Sequence, residues 1–140
     1  MLAIGAGVLL PVQAGINAQL RSAVGSPLAA GLISFMMGTA GLAAVVLLLR
    51  APVTLRLAWS ATPWWYWMGG LIGAVYVVAS IVLAPRLGAA TMVAAIVAGQ
   101  MIASLLLDQY GLLGFPIHPI SGLRVVGAAL VIGGVMLVQR

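Results

Sequence analysis

Five runs of mainly apolar residues, each closed off by proline, glycine, serine or arginine, decide what this chain can fold into. They lie at about Leu2–Leu20, Pro27–Leu49, Trp64–Ala84, Ala89–Leu107 and Ser121–Val138. A helix of ~20 such residues crosses the ~30 Å hydrocarbon core of a bilayer. Of the 140 residues 64% are hydrophobic and 5% charged, and the mean hydropathy is +1.26. A soluble domain of this size has too little interior to hide that much apolar surface. In lipid the backbone must satisfy its own hydrogen bonds, and long apolar runs do so as helices. The expectation is an all-α membrane protein, one domain of five transmembrane helices, integral to the plasma (inner) membrane.

The punctuation supports these limits. Ser26–Pro27 supplies a capping hydroxyl followed by proline at the first helical position. Ala51–Pro52 and Ala84–Pro85–Arg86–Leu87–Gly88 read as the ends of the second and third helices, and Ser121 as the cap of the fifth. Trp59, Trp64, Trp65, Tyr66 and Trp67 gather where amphipathic rings prefer the membrane interface. The segment Asp108–Ile120 is loop-like by its glycines and prolines yet apolar, so it is expected to lie along the interface or fold back against the helices. Met1–Leu10 lacks the positive charge of a signal peptide and reads as the first half of a membrane helix.

The charges narrow the function. There is no cysteine, one Asp, no Glu and one His, so no catalytic dyad, metal cluster or cofactor motif can be assembled. Neither an enzyme nor a cofactor is expected on that inventory. All six positive charges are Arg, scattered at helix ends rather than clustered, which argues against a nucleic-acid partner. With five spans, Arg50, Arg56 and Arg124 fall on one side and Arg21, Arg86 and Arg140 on the other. The positive-inside rule then gives no orientation. A balanced chain suits insertion in both orientations, and two opposed copies would form an inverted pair, the common plan of secondary transporters.

Polar side chains inside the runs are the candidate site. Gln13, Asn17 and Arg21 recur at i, i+4 and i+8 on the first helix, one turn after Pro11, which invites a kink. An unpaired amide in hydrocarbon costs on the order of several kcal/mol, so this stripe must face protein or water. Gln100, Ser104 and Asp108 repeat the spacing on the fourth helix. Gln100 reads as a substrate contact and Ser104 as interhelical glue. Asp108, the sole acid, reads as one half of an ion pair with Arg124, Arg50 or an Arg of a second copy, or else as a coupling group. Arg21 is a snorkelling residue, or it attracts an anionic substrate group at the vestibule, where it could gate. Tyr76, with Ser80 one turn on, could reach a cavity from a face that Gly69 and Gly73 open to close packing, and Trp64 could line its mouth. Ser34, Gly38 and Thr39 read as packing, as do Ala129, Gly133 and Gly134 of the fifth helix, and His118 as a solvated loop residue.

Several of these motifs, in order, resemble the YdcZ-like family of the drug/metabolite transporter superfamily. They are Gln13…Asn17…Leu20–Arg21 with Gly25–Ser26–Pro27, Ser34–Phe35…Gly38–Thr39, Pro63–Trp64–Trp65…Gly69–Gly70…Gly73, Pro85–Arg86–Leu87–Gly88–Ala89–Ala90 and Gly99–Gln100…Asp108…Gly111–Leu112–Leu113–Gly114. The resemblance implies a five-span half-transporter that pairs to give the superfamily's ten-helix fold. It implies no substrate. Small multidrug resistance proteins use a glutamate in the first helix to bind cations and protons; Gln13 and Asn17 stand here instead, which puts that antiport mechanism in doubt.

The reading that joins these observations is a secondary transporter of a small organic metabolite or drug-like solute. It would work by alternating access as an antiparallel, dual-topology homodimer in the lipid bilayer. Gln13, Asn17, Gln100, Tyr76 and Trp64 would bind substrate, with Asp108 and Arg21 in coupling or gating. The competing reading is a non-transporting membrane subunit or assembly component whose polar stripes are helix-packing contacts. An ion channel is a third, without a charge ring or carbonyl filter to support it.

Overall fold

The structure, a computed structural model, describes residues 1–53 and 62–138. Arg56, Trp59 and Arg140 lie outside the described residues. The described residues contain helices and connecting turns and no strand: α1 (Leu2–Val24), α2 (Pro27–Leu48), α3 (Met68–Leu87), α4 (Ala89–Tyr110) and α5 (Gly122–Val138). Single 3-10 turns, Trp64–Trp67 and Leu112–Gly114, precede α3 and follow α4. Four stretches are long and apolar enough to span a membrane: α1, α2, α4 and Trp64–Leu87. α5 has 17 residues, at the short end of what spans a bilayer. In the most apolar part of each of the four, 17% of residues or fewer are buried, so the remaining side chains face lipid or another protein.

Chain contacts define two compact units, Met1–Pro85 and Arg86–Arg140. In the first, α1 and α2 form an antiparallel hairpin. Gly25 closes α1 in the left-handed region at φ 76, where a side chain would be strained, and its N–H donates to the Arg21 carbonyl at 2.8 Å. Ser26 follows as the cap of α2, its Oγ accepting from the Ala29 N–H at 3.4 Å, with Pro27 at the first helical position. α1 runs as one helix past Pro11, so the residue expected to bend it is carried within an unbroken span. Loss of one backbone hydrogen bond is tolerable in a long membrane helix.

α2 meets α3 through small residues. A Cβ added to Gly31 would stand 3.0 Å from Val78 Cγ2, and one added to Gly73 3.5 Å from the Phe35 ring. Around that approach Ala30, Val77 and Ile81 form the core of the unit, with Leu20 and Tyr76 packed against it. The Trp64–Tyr66 rings before α3 stack edge-to-face, with centroids 6.0 Å and 6.2 Å apart. α3 includes Pro85 and stops at Leu87; Gly88, at φ 77, makes the break. Proline in that sequence therefore marks the last turn, and glycine ends the helix.

In the second unit α4 packs on α5, with Ala128 and Val135 of α5 buried. The connection between them is ordered by its own hydrogen bonds. Gly111, at φ 61, caps α4 with its N–H on the Leu107 carbonyl. The His118 N–H returns to the Asp108 carbonyl at 2.9 Å, and Gln109 Oε1 accepts from the Ile120 N–H. Ser121 Oγ accepts from the Arg124 N–H at 3.4 Å, which starts α5 at Gly122. The apolar loop thus folds back on the end of α4.

Candidate functional site

The polar stripe of α1 winds about 40° with each step of four residues, so its members meet different surroundings. Gln13 faces α2 and lines a cleft of about 210 Å³ together with Ser34, Phe35, Gly38, Thr39 and Leu42. An amide and two hydroxyls therefore meet one opening, with Phe35 and Leu42 as its apolar walls. Gln13 is the twelfth residue of α1 and Thr39 the thirteenth of α2, so the cleft lies near mid-depth of both spans. Ser34 and Thr39 are the residues the sequence reading missed. Their spacing with Gly38 signals a packing face, and only the position of Gln13 across the hairpin turns that face into a polar lining.

Asn17, with Ala14, is on the buried side of the helix. It is 3% exposed, and its Nδ2 has no hydrogen-bond partner among the described residues. That amide carries two N–H donors. Burial without an acceptor costs on the order of 1–3 kcal/mol, a penalty structural positions seldom retain. Arg21, one turn further along, is partly buried in the last turn of α1. There its cation complements the helix dipole.

The other predicted site residues do not line that cleft. Tyr76 packs on the Ala30–Val77–Ile81 core, a structural setting. Trp64 is 71% exposed within its 3-10 turn, as an interface anchor would be. Gln100 is exposed at the twelfth residue of α4, in the second unit. Ser104 donates to the Met101 carbonyl at 3.0 Å and Ser80 to the Val77 carbonyl at 2.8 Å, so both hydroxyls are satisfied inside their own helices.

Asp108 pairs with Arg124 of α5. Of the three partners the sequence left open, the structure selects the one across the α4–α5 turn. The Arg124 guanidinium also donates to the His118 carbonyl at 2.6 Å, and one ring nitrogen of His118 lies 3.1 Å from the Pro116 carbonyl. Asp108, His118, Pro119 and Arg124 border an open depression of about 420 Å³. Both charges there are spent on each other and on the loop, so this cluster is a clasp. No group of three or more His, Cys, Asp or Glu that could hold a metal occurs among the described residues.

Comparison with known proteins places the chain among inner membrane proteins. The inner membrane protein YdcZ of Escherichia coli (strain K12) is 35% identical over 121 residues, covering 86% of this chain and 72% of the relative. No solved structure matches. Residues 1–137 match the family described as "Putative inner membrane exporter, YdcZ". Together with the apolar helices, these matches identify an integral, multi-pass inner membrane protein, and the chain belongs to the YdcZ family.

Proposed function

We propose that this chain is half of a secondary transporter, and that two copies inserted in opposite orientations move a small organic solute by alternating access. The observation that carries the reading is the buried Asn17 amide, whose Nδ2 is unpaired, on the helix whose Gln13 opens into a polar cleft at mid-depth. A donor kept in that state has a hydrogen bond left to give to a solute oxygen that a rearrangement of the helices lets in, and low dielectric makes such a bond strong and selective. In an inverted pair the same residues would face the path from both subunits. The three-against-three division of Arg supports insertion both ways. The description of the family as an exporter supports transport.

A second reading has one observation in its favour: an amide unpaired within one copy is equally suited to pairing with a second copy. The non-transporting subunit would use Asn17 as glue between chains. The test is solute flux into proteoliposomes containing wild type or the Gln13→Ala, Asn17→Ala double variant, alongside the oligomeric state of each. Lost flux in a still-dimeric protein supports transport. A lost dimer in a protein with no flux of its own overturns it. C-terminal reporters active on only one side of the membrane test the antiparallel arrangement, which a single-sided signal would refute.

A further inference from the structure

We infer that the Asn17–Arg21 face of α1 receives an anionic oxygen group, a carboxylate or a phosphate, carried by the transported solute. The inference rests on the transport reading above and adds the charge class of what is moved.

Three observations carry it. Asn17 Nδ2 is a pure donor, buried and without an acceptor among the described residues, so what completes it must bring an oxygen lone pair. Arg21 follows one helical turn later, which brings the two Cβ atoms to about 6 Å, and it adds five more donors and a full charge. The chain has one acidic side chain to set against six Arg, and Asp108 is already paired with Arg124. Arg21 therefore has no carboxylate side chain left to pair with among the described residues.

The balance of charge along this face is positive. The C-terminal end of α1 contributes roughly half a negative charge from its dipole, less than the unit charge of Arg21. A cationic solute would meet no counter-charge here and would have to displace or repel a guanidinium. A neutral solute could satisfy Asn17 but would leave Arg21 unused. An oxyanion satisfies both, in the geometry arginine favours for carboxylate and phosphate. Lipid phosphates present the same chemistry near a helix end, so the source of the anion must be separated by experiment.

The test uses the full-length protein purified in a neutral maltoside detergent. Its thermal stability is followed while size-matched pairs are titrated: benzoate and benzamide, nicotinate and nicotinamide, glycerol 3-phosphate and glycerol. The expected result is saturable stabilisation by at least one anion, with its neutral partner at least tenfold weaker. Arg21→Gln should remove that preference and Arg21→Lys should retain much of it. Arg86→Gln, an exposed Arg at the end of α3, should leave it unchanged. No preference in any pair, or equal loss in Arg86→Gln, overturns the inference. Phosphatidylglycerol is titrated in parallel; if it alone stabilises the protein through Arg21, the site belongs to headgroups and the solute assignment falls. Flux separates the two levels. A neutral or cationic solute moving in a Gln13-dependent way refutes the anion and leaves transport standing. Arg21-dependent anion binding with no flux of any solute refutes transport and leaves the binding site standing.

Discussion

Replacing Asn17 by leucine should make the protein more stable and less active. The side chain is 3% exposed, so nearly all of the amide has left water or headgroup, and its Nδ2 has gained nothing in return. Protein mutational data put an unsatisfied buried amide at about 1–3 kcal/mol. Part of that returns in the reference state, because an unfolded helix in a micelle also finds partners for its polar groups. A net gain of about 1 kcal/mol remains for Asn17→Leu, roughly fivefold in the folding equilibrium. Equilibrium unfolding in mixed detergent and dodecyl sulfate micelles measures it, with Trp64, Trp65 and Trp67 ahead of α3 as fluorescent reporters. Flux of any transported solute should fall at least tenfold in the same variant. Gain of stability with loss of activity is the mark of a residue kept for function. A loss of about 1 kcal/mol or more, with loss of any self-association, would show that Asn17 is paired with protein and would refute the reasoning.

Further outcomes follow from packing, ion pairing and turn geometry. Ile81 is fully buried against Ala30 and Val77. In lipid the transfer part of a core truncation largely vanishes, so Ile81→Ala costs only its cavity, roughly 80 Å³ or about 2 kcal/mol. Ile16→Ala, at a side chain 60% exposed, should be within about 0.5 kcal/mol of wild type by the same unfolding assay. A double-mutant cycle on Asp108→Asn and Arg124→Gln should give a coupling of about 0.5–1 kcal/mol, because the two side chains remain 22% and 34% exposed. Arg124→Gln alone should cost more than Asp108→Asn, since it also frees the His118 carbonyl, and faster amide exchange at His118 would report the loosened loop. Gly111→Ala should destabilise by about 1–2 kcal/mol, from the left-handed backbone. Its Cβ would also fall 2.7 Å from Ile117 Cγ1. An unchanged unfolding midpoint would argue against the described turn.

The helices were legible because each is a local event, although α1 runs on to Val24, past Leu20, and α3 to Leu87, past Ala84. Ser26 with Pro27 could be read as a cap and a first turn without any knowledge of α3. The choice of Asp108's partner was not, since Arg124 is reached only when the turn after α4 folds back. The packing face of α3 was legible from Gly69 and Gly73, but that Tyr76 rests on Ala30, Val77 and Ile81 was not. Ser34 and Thr39 looked like packing residues until Gln13 stood across from them.

These cases share a cause. In a soluble helix the apolar stripe tells which face turns inward, but helices that are apolar all round carry no such stripe, and lipid is as apolar as the protein interior. Composition and run length therefore determined, from the sequence alone, that the chain lives in a membrane as helices, and glycine, proline and serine set where those helices turn. The tertiary structure alone decided how each helix is rotated. That rotation buries the Asn17 amide without a partner and turns Gln13, about 40° away, toward the cleft against α2.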